Sequence, residues 1–130
     1  MARAGAADPG RRAAERSGRR AESIAAWLLR LKFYRVIARR YRTPAGEIDL
    51  IVKRGRTIVF VEVKRRPNET LGLEAVRPAS RRRIARAAEL WIAANPAAAG
   101  LDRRFDVVVA APGRRPRHFV SVFDSEGRSW

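Results

Sequence analysis

The chain predicts an α/β domain whose elements run helix, three strands, helix, two strands. Three observations carry that prediction. Apolar residues recur at i, i+3 and i+4 spacing before Leu31 and again between Ile84 and Trp91, the period of a half-buried helix. Short runs rich in Val, Ile and Phe, at 47–53, 57–64 and 105–110, have the length and composition of strands. Gly- and Pro-containing clusters separate these segments. The 130 residues suit one domain and not two, and 46% hydrophobic residues are enough for a packed core.

Taken in order, residues 1–13 read as a mobile basic tail, 14–124 as the domain and 125–130 as a C-terminal tail. The first helix is expected from about Ala14 to Leu31, with Ala21, Ile24, Ala25, Leu28 and Leu31 on its buried stripe. Phe33 to Tyr41 reads as an outer strand, and Thr43-Pro44-Ala45-Gly46 as a turn. Glu47–Lys53 and Thr57–Lys64 form the second and third strands, and Pro67–Gly72 a loop. The second helix opens near Pro78, which the first helical turn tolerates, and runs to about Ala94, where Asn95-Pro96 stops it. Ile84, Ala88 and Trp91 mark its buried face. Phe105–Ala110 and His118–Phe123 are the last strands, the final one at an edge. No repeat and no Gly/Ser-rich linker divides the chain.

The charge narrows the function. Twenty-nine Lys and Arg stand against thirteen Asp and Glu, giving a net charge of +16 and a pI near 11.8. Such an excess is the footprint of a protein that meets a polyanion, here nucleic acid. Arg dominates among the cations and suits bidentate phosphate contacts. The absence of cysteine excludes disulfides, thiolate metal sites and a Cys nucleophile, and fits a reducing compartment such as the cytoplasm. No stretch approaches the ~20 apolar residues of a membrane span. Met1 to Arg12 has no apolar run of the kind a secretory signal needs.

Glu62-Val63-Lys64 is the most informative segment, because it closes the apolar run Thr57–Val61. Charges are seldom placed at the end of a core strand. Glu47 and Asp49 sit among the aliphatics of the strand before it. With Arg54-Gly55 as a two-residue hairpin turn, Asp49 faces Phe60 and Glu47 faces Glu62. Alternation then puts Glu47, Asp49, Glu62 and Lys64 on one face, which a one-residue slip would undo. Carboxylates this close repel one another, and a hard cation such as Mg²⁺ or Mn²⁺ relieves that repulsion. Such an ion can orient water and a scissile phosphate, and Lys64 can position the water or contact the phosphate. Read without a metal, the same acids are a solvated hairpin face paired with Arg.

Gly46-Glu47-Ile48-Asp49-Leu50-Ile51 followed by Phe60-Val61-Glu62-Val63-Lys64 resembles the PD-(D/E)xK nuclease signature. More narrowly, the chain resembles the uncharacterised bacterial YraN-like family, related to archaeal Holliday junction resolvases. Gly18-Arg19-Arg20-Ala21-Glu22, Arg39-Arg40-Tyr41-Arg42 and Arg104-Phe105-Asp106-Val107-Val108 share in the resemblance, which spans roughly residues 19–123. It implies a restriction-endonuclease-like fold, a central mixed sheet flanked by helices. It implies that Asp49 and Glu62 bind the metal, that Lys64 is the catalytic lysine and that Glu22 is a helix-borne acid assisting them. Glu22 also reads as an ordinary exposed acid beside Arg19. The usual Pro before the strand acid is replaced by Ile48, and Arg81-Arg82-Arg83 stand where related chains often have Gln or Lys.

Two function classes remain open on the sequence. One is a metal-dependent endonuclease acting on structured or branched DNA, for which a homodimer would suit a junction cut twice. The other is a module that binds nucleic acid through Arg81, Arg82, Arg83 and Arg86 without cutting it. Trp27 and Trp91 are expected in the core, His118 at the surface, and Asp106 as the buried partner of an Arg.

Overall fold

The computed structural model describes residues 9–66 and 77–128. Helix α1 (Pro9–Leu31) leads into β1 (Arg35–Thr43), β2 (Gly46–Arg54) and β3 (Thr57–Arg65). Helix α2 (Pro78–Ala94), a short 3₁₀ turn (Pro96–Ala98), β4 (Asp102–Ala110) and β5 (Arg117–Phe123) follow. The element order and the α/β class are those the sequence predicts. The loop expected at Pro67–Gly72 and most of the N-terminal tail lie outside the described residues.

The five strands form one mixed sheet in the order β1-β2-β3-β4-β5. Neighbours are antiparallel except β3 and β4, which are parallel because α2 carries the chain back across the sheet. The central strand is covered on both sides, which is why Ile58-Val59-Phe60-Val61 is apolar without alternation. Ile58 and Phe60 meet Ile84, Ala88 and Trp91 of α2. Val59 and Val61 meet Ala25, Ala26 and Leu29 of α1. Rings of Phe60, Phe105 and Phe123 stack with centroids 5.4 and 4.9 Å apart, and Trp91 meets Phe60 edge-on at 5.8 Å.

Several expectations need correction. Helix α1 begins at Pro9, earlier than the expected Ala14, and its buried stripe is turned by one residue. Ala21, Glu22, Ala25, Ala26 and Leu29 are buried, while Ile24 and Leu31 are exposed. Trp27 is 64% exposed and not in the core. Small alanines let the helix axis approach the sheet closely, and that contact outweighs burial of the larger side chains on the adjacent stripe. Phe33 caps the helix in a left-handed conformation (φ 71°) and is not part of β1, which begins at Arg35. The hairpin turn is Gly55-Arg56, because Arg54 pairs with Thr57 and Ile51 with Phe60. That register differs from the expected one by two residues, so the parity of the pairing is the one expected.

Candidate functional site

The site forms where β2 and β3 part. Their backbone pairing ends at Leu50 and Val61, which places Asp49 beside Glu62 on the next rung. There the Asp49 side chain takes over from the backbone, with Oδ2 accepting the Val63 N–H at 2.8 Å. Strand β2 also loses its alternation at this point. Leu50 packs with the α1 cluster and Ile48 with the α2 cluster, although two residues apart they would share a face on a regular strand. Strand β1 is irregular at the matching position, since Arg40, between the Arg39–Leu50 and Tyr41–Ile48 pairs, has φ 51°. Arg39 and Arg40 consequently both turn towards α1, Arg39 donating to Ser23 at 3.1 Å and Arg40 to Glu22 at 2.7 Å.

Three of the acids and bases singled out in the sequence, Asp49, Glu62 and Lys64, are brought together. Asp49 shares a hydrogen bond with Glu62. Burial first, and that carboxyl neighbour second, push Asp49 up to about 9, against the opposing pull of the Val63 N–H. The charge of Glu22 adds to the rise. Lys64 Nζ lies 3.1 Å from Glu62 Oε2, with its side chain 21% exposed and that of Glu62 12% exposed. Burial and its carboxyl neighbour thus favour the protonated form of Asp49, while Lys64 stands against Glu62. Glu22 is buried and paired with Arg40. Glu47 lies near the rim, where Arg42 Nε meets it at 3.0 Å.

An open cleft of about 370 Å³ gives access to Glu62 and Lys64. Its walls are Thr43–Glu47 from the β1–β2 turn and Ser80, Arg83 and Ile84 from α2. A neighbouring hollow is lined by Pro44, Ala45, Ala79, Arg82, Arg83 and Arg86. Arg82, Arg83 and Arg86 are exposed along this side of α2, whereas Arg81 Nε donates to the Gly127 carbonyl at 3.1 Å. Gly127 (φ 82°) packs so closely that a Cβ there would come within 2.9 Å of the Arg82 backbone nitrogen. The C-terminal turn is thereby docked on the start of α2.

A second polar centre lies under α1. Asp106 is 1% exposed and accepts hydrogen bonds from Arg104 Nε (2.9 Å), Arg104 NH2 (2.8 Å) and the Ser121 N–H (2.9 Å). His118 Nε2 lies 2.6 Å from its Oδ2, and Tyr34 OH meets Arg104. Burial pushes Asp106 up, but the hydrogen bonds from His118, Arg104 and Ser121 outweigh it and hold the carboxyl below its ordinary value. The expected Asp–Arg pairing is present. His118 is corrected, since its side chain is only 2% exposed and belongs to this network. The β5 bulge at Ser121 (φ 56°) wraps the strand around Asp106.

The donor set at Asp49 and Glu62 is hard oxygen, with a proton that a cation can displace. That matches Mg²⁺ or Mn²⁺, which bind through one or two carboxylates and keep several waters. Among the described residues no group of three or more Asp, Glu, His or Cys is close enough to enclose a metal. Arg40 escaped the sequence reading as a site residue. Its only signal was a run of arginines on a strand that otherwise alternates. No helix among the described residues is long and apolar enough to cross a membrane.

Comparison with known proteins finds relatives over most of the chain. The chain is 50% identical over 123 residues to a UPF0102 protein of Methylorubrum extorquens, covering 93% of this chain and 96% of that one. It is 52% identical over 111 residues to a UPF0102 protein of Parvibaculum lavamentivorans, covering 85% and 84%. A Rhizobium johnstonii UPF0102 protein is 48% identical over 113 residues, covering 87% and 93%. The model of the uncharacterised protein family UPF0102 matches residues 21–110, a span that runs from the start of the buried stripe of α1 to the end of β4 and includes Glu22, Arg40, Asp49, Glu62 and Lys64. The chain belongs to the uncharacterised protein family UPF0102.

Proposed function

We propose that the protein is a metal-dependent endonuclease that hydrolyses phosphodiester bonds in structured or branched DNA. The observation that carries this reading is the under-compensated Asp49–Glu62 pair, with Lys64 against it, at the end of a cleft bordered by arginines. Asp49 and Glu62 would hold the Mg²⁺ or Mn²⁺ ion that supplies Lewis-acid polarisation of the phosphate and a lowered water pKa. Asp49 must give up its proton when it becomes a ligand, so ion uptake releases a proton. Lys64, whose Nζ lies 3.1 Å from Glu62 and which lines the cleft, would neutralise charge developing on a phosphate bound there. Arg83 on the cleft wall, with Arg82 and Arg86 beyond it, would hold the backbone on either side of the cut, and Arg81 adds charge to the same helix end. The choice of branched DNA rests on the resemblance, carried by the GEIDLI and FVEVK segments, to a nuclease-like family related to junction resolvases. A homodimer would give such an enzyme two cutting sites.

A nuclease assay on duplex, junction, flap and single-stranded substrates, with Mg²⁺, Mn²⁺ or chelator and with Asp49→Ala alongside, tests this reading. Metal-dependent cutting lost in the variant is expected. Cutting that persists in Asp49→Ala would place the activity elsewhere. The second reading, a binding module that does not cut, is favoured by one observation. The exposed arginines Arg82, Arg83 and Arg86 line the hollow beside the cleft and need no metal to meet phosphates. Tight DNA binding with no cutting of any substrate would establish it.

A further inference from the structure

The outer face of α1 carries an apolar stripe that the sheet does not cover. Ile24, Trp27 and Leu31 stand at i, i+3 and i+7, and all three are exposed, Leu31 at 74%. Phe33, just beyond the helix, is 87% exposed. A cluster of large apolar side chains in water marks a surface that meets a partner. The charges around the stripe indicate which partner. Every exposed charge among residues 18–46 is a cation, and the one acid in that stretch, Glu22, is buried and paired with Arg40. Arg20 precedes Trp27 by seven residues, about two helical turns, and so shares its face. Arg30 holds its guanidinium carbon 5.5 Å from the centroid of the Trp27 ring. A second copy of this chain, itself of charge +16, would bring like charges together across such a face. A polyanion that also offers flat apolar rings matches both the cations and the stripe.

We propose that this face of α1 is a separate surface for single-stranded nucleic acid, where an unpaired base stacks on Trp27 and Arg20 and Arg30 meet the flanking phosphates. Every base has a π-face, so a stacking platform of this kind takes any sequence. In a duplex the bases are already stacked on one another, and only the phosphates are left for this surface to meet. The stripe lies away from the cleft. Arg54, at the end of β2, donates to the Lys32 carbonyl at 3.1 Å beside the C-terminus of α1, whereas Gly46, at the start of β2, lines the cleft. The nine residues of β2 span roughly 26 Å at ~3.3 Å per residue. The inference therefore goes beyond the proposed cutting site and holds whether or not Asp49 and Glu62 take a metal.

The test is fluorescence anisotropy of the full chain, in chelator, with a labelled oligothymidine, an abasic strand of the same length and a blunt duplex. The abasic strand keeps the phosphates and lacks the bases. Wild type should bind oligothymidine about tenfold more tightly than the abasic strand. Trp27→Ala, at an exposed helix position, should lose that preference and leave duplex affinity unchanged. Trp27→Leu, which keeps apolar area but no ring, should lose it too, and Trp27→Phe should keep most of it. Equal wild-type affinity for the two single strands would overturn the inference, as would a preference that survives in Trp27→Ala. A wild-type dimer in sedimentation that Trp27→Ala turns into a monomer would overturn it as well, making the stripe an interface between copies. Metal-dependent cutting is decided separately by the nuclease assay, so neither reading falls with the other.

Discussion

Two aspartates flank the central strand β3, Asp49 on β2 and Asp106 on β4. Both sit in a largely apolar sheet, and both accept one backbone N–H, from Val63 and Ser121 respectively. Their remaining partners differ in sign. Asp106 is met by the fork of Arg104 and by His118, and its carboxyl is held below the ordinary value. Asp49 is met by another carboxyl group and is pushed up to about 9. The first acid is complete within the protein. The second is left wanting a positive charge, which is what a cation site needs before the cation comes. One sheet thus carries one acid satisfied by cationic partners and one that is not, told apart by what lies next to each and not by depth alone.

The comparison breaks most sharply under substitution. Asp49→Asn keeps an acceptor for the Val63 N–H but removes a ligand, and should lower cutting by at least about 10³-fold. Asp106→Ala should leave Arg104 and His118 facing a hole and cost about 3–5 kcal/mol in urea unfolding. Asp49→Asn, measured the same way, should instead gain on the order of 1 kcal/mol or more at neutral pH, because the wild type must take up a proton at Asp49 on folding and Asn does not. If both variants lost stability alike, the two acids would be equivalent and the distinction would fail.

The pH dependence sharpens the same contrast. Asp49 has a folded pKa above its unfolded value of 3.8. Between about pH 4 and 9 the folded chain therefore binds a proton that the unfolded chain does not, and stability falls as pH rises. The stability gap between Asp49→Asn and wild type should widen over that window and level off above it. Asp106 has a lowered folded pKa, so its contribution is present above the unfolded value and is lost as pH falls through the folded one. Urea midpoints for wild type and Asp49→Asn across this range decide the point. The smallest expected effect concerns the exposed arginines. Arg83→Ala should reduce the slope of log affinity against log salt on duplex DNA by about 0.9, the share of one phosphate contact. An unchanged slope would remove Arg83 from the binding surface.

The sequence made one of these two acids readable and obscured the other's surroundings. Strand alternation placed Asp49, Glu62 and Lys64 together even though the turn was set one residue early. The resulting slip was two residues, and face depends only on parity. The α1 stripe misled because large apolar residues outrank alanine on any hydropathy pattern. Here Ala21, Ala25 and Ala26 make the contact and Trp27 does not. His118 was not readable because its burial depends on Asp106, twelve residues away on a neighbouring strand, and on a bulge at Ser121 that no local pattern announces. Arg40 was obscured for the same reason, since its role follows from a left-handed backbone that is unusual for a long side chain.

A cation site at Asp49 requires this acid to be protonated in the free protein at neutral pH. Carboxyl ¹³C chemical shifts of protein labelled at Asp, assigned by Asp49→Asn and Asp106→Asn, measure it directly. The Asp49 signal should titrate near pH 9, shift to the ionised position when Mg²⁺ is added at pH 7, and contrast with an Asp106 signal that stays ionised throughout. An Asp49 that titrates below pH 5, or that ignores Mg²⁺, would contradict the claim that this acid is held ready for a cation.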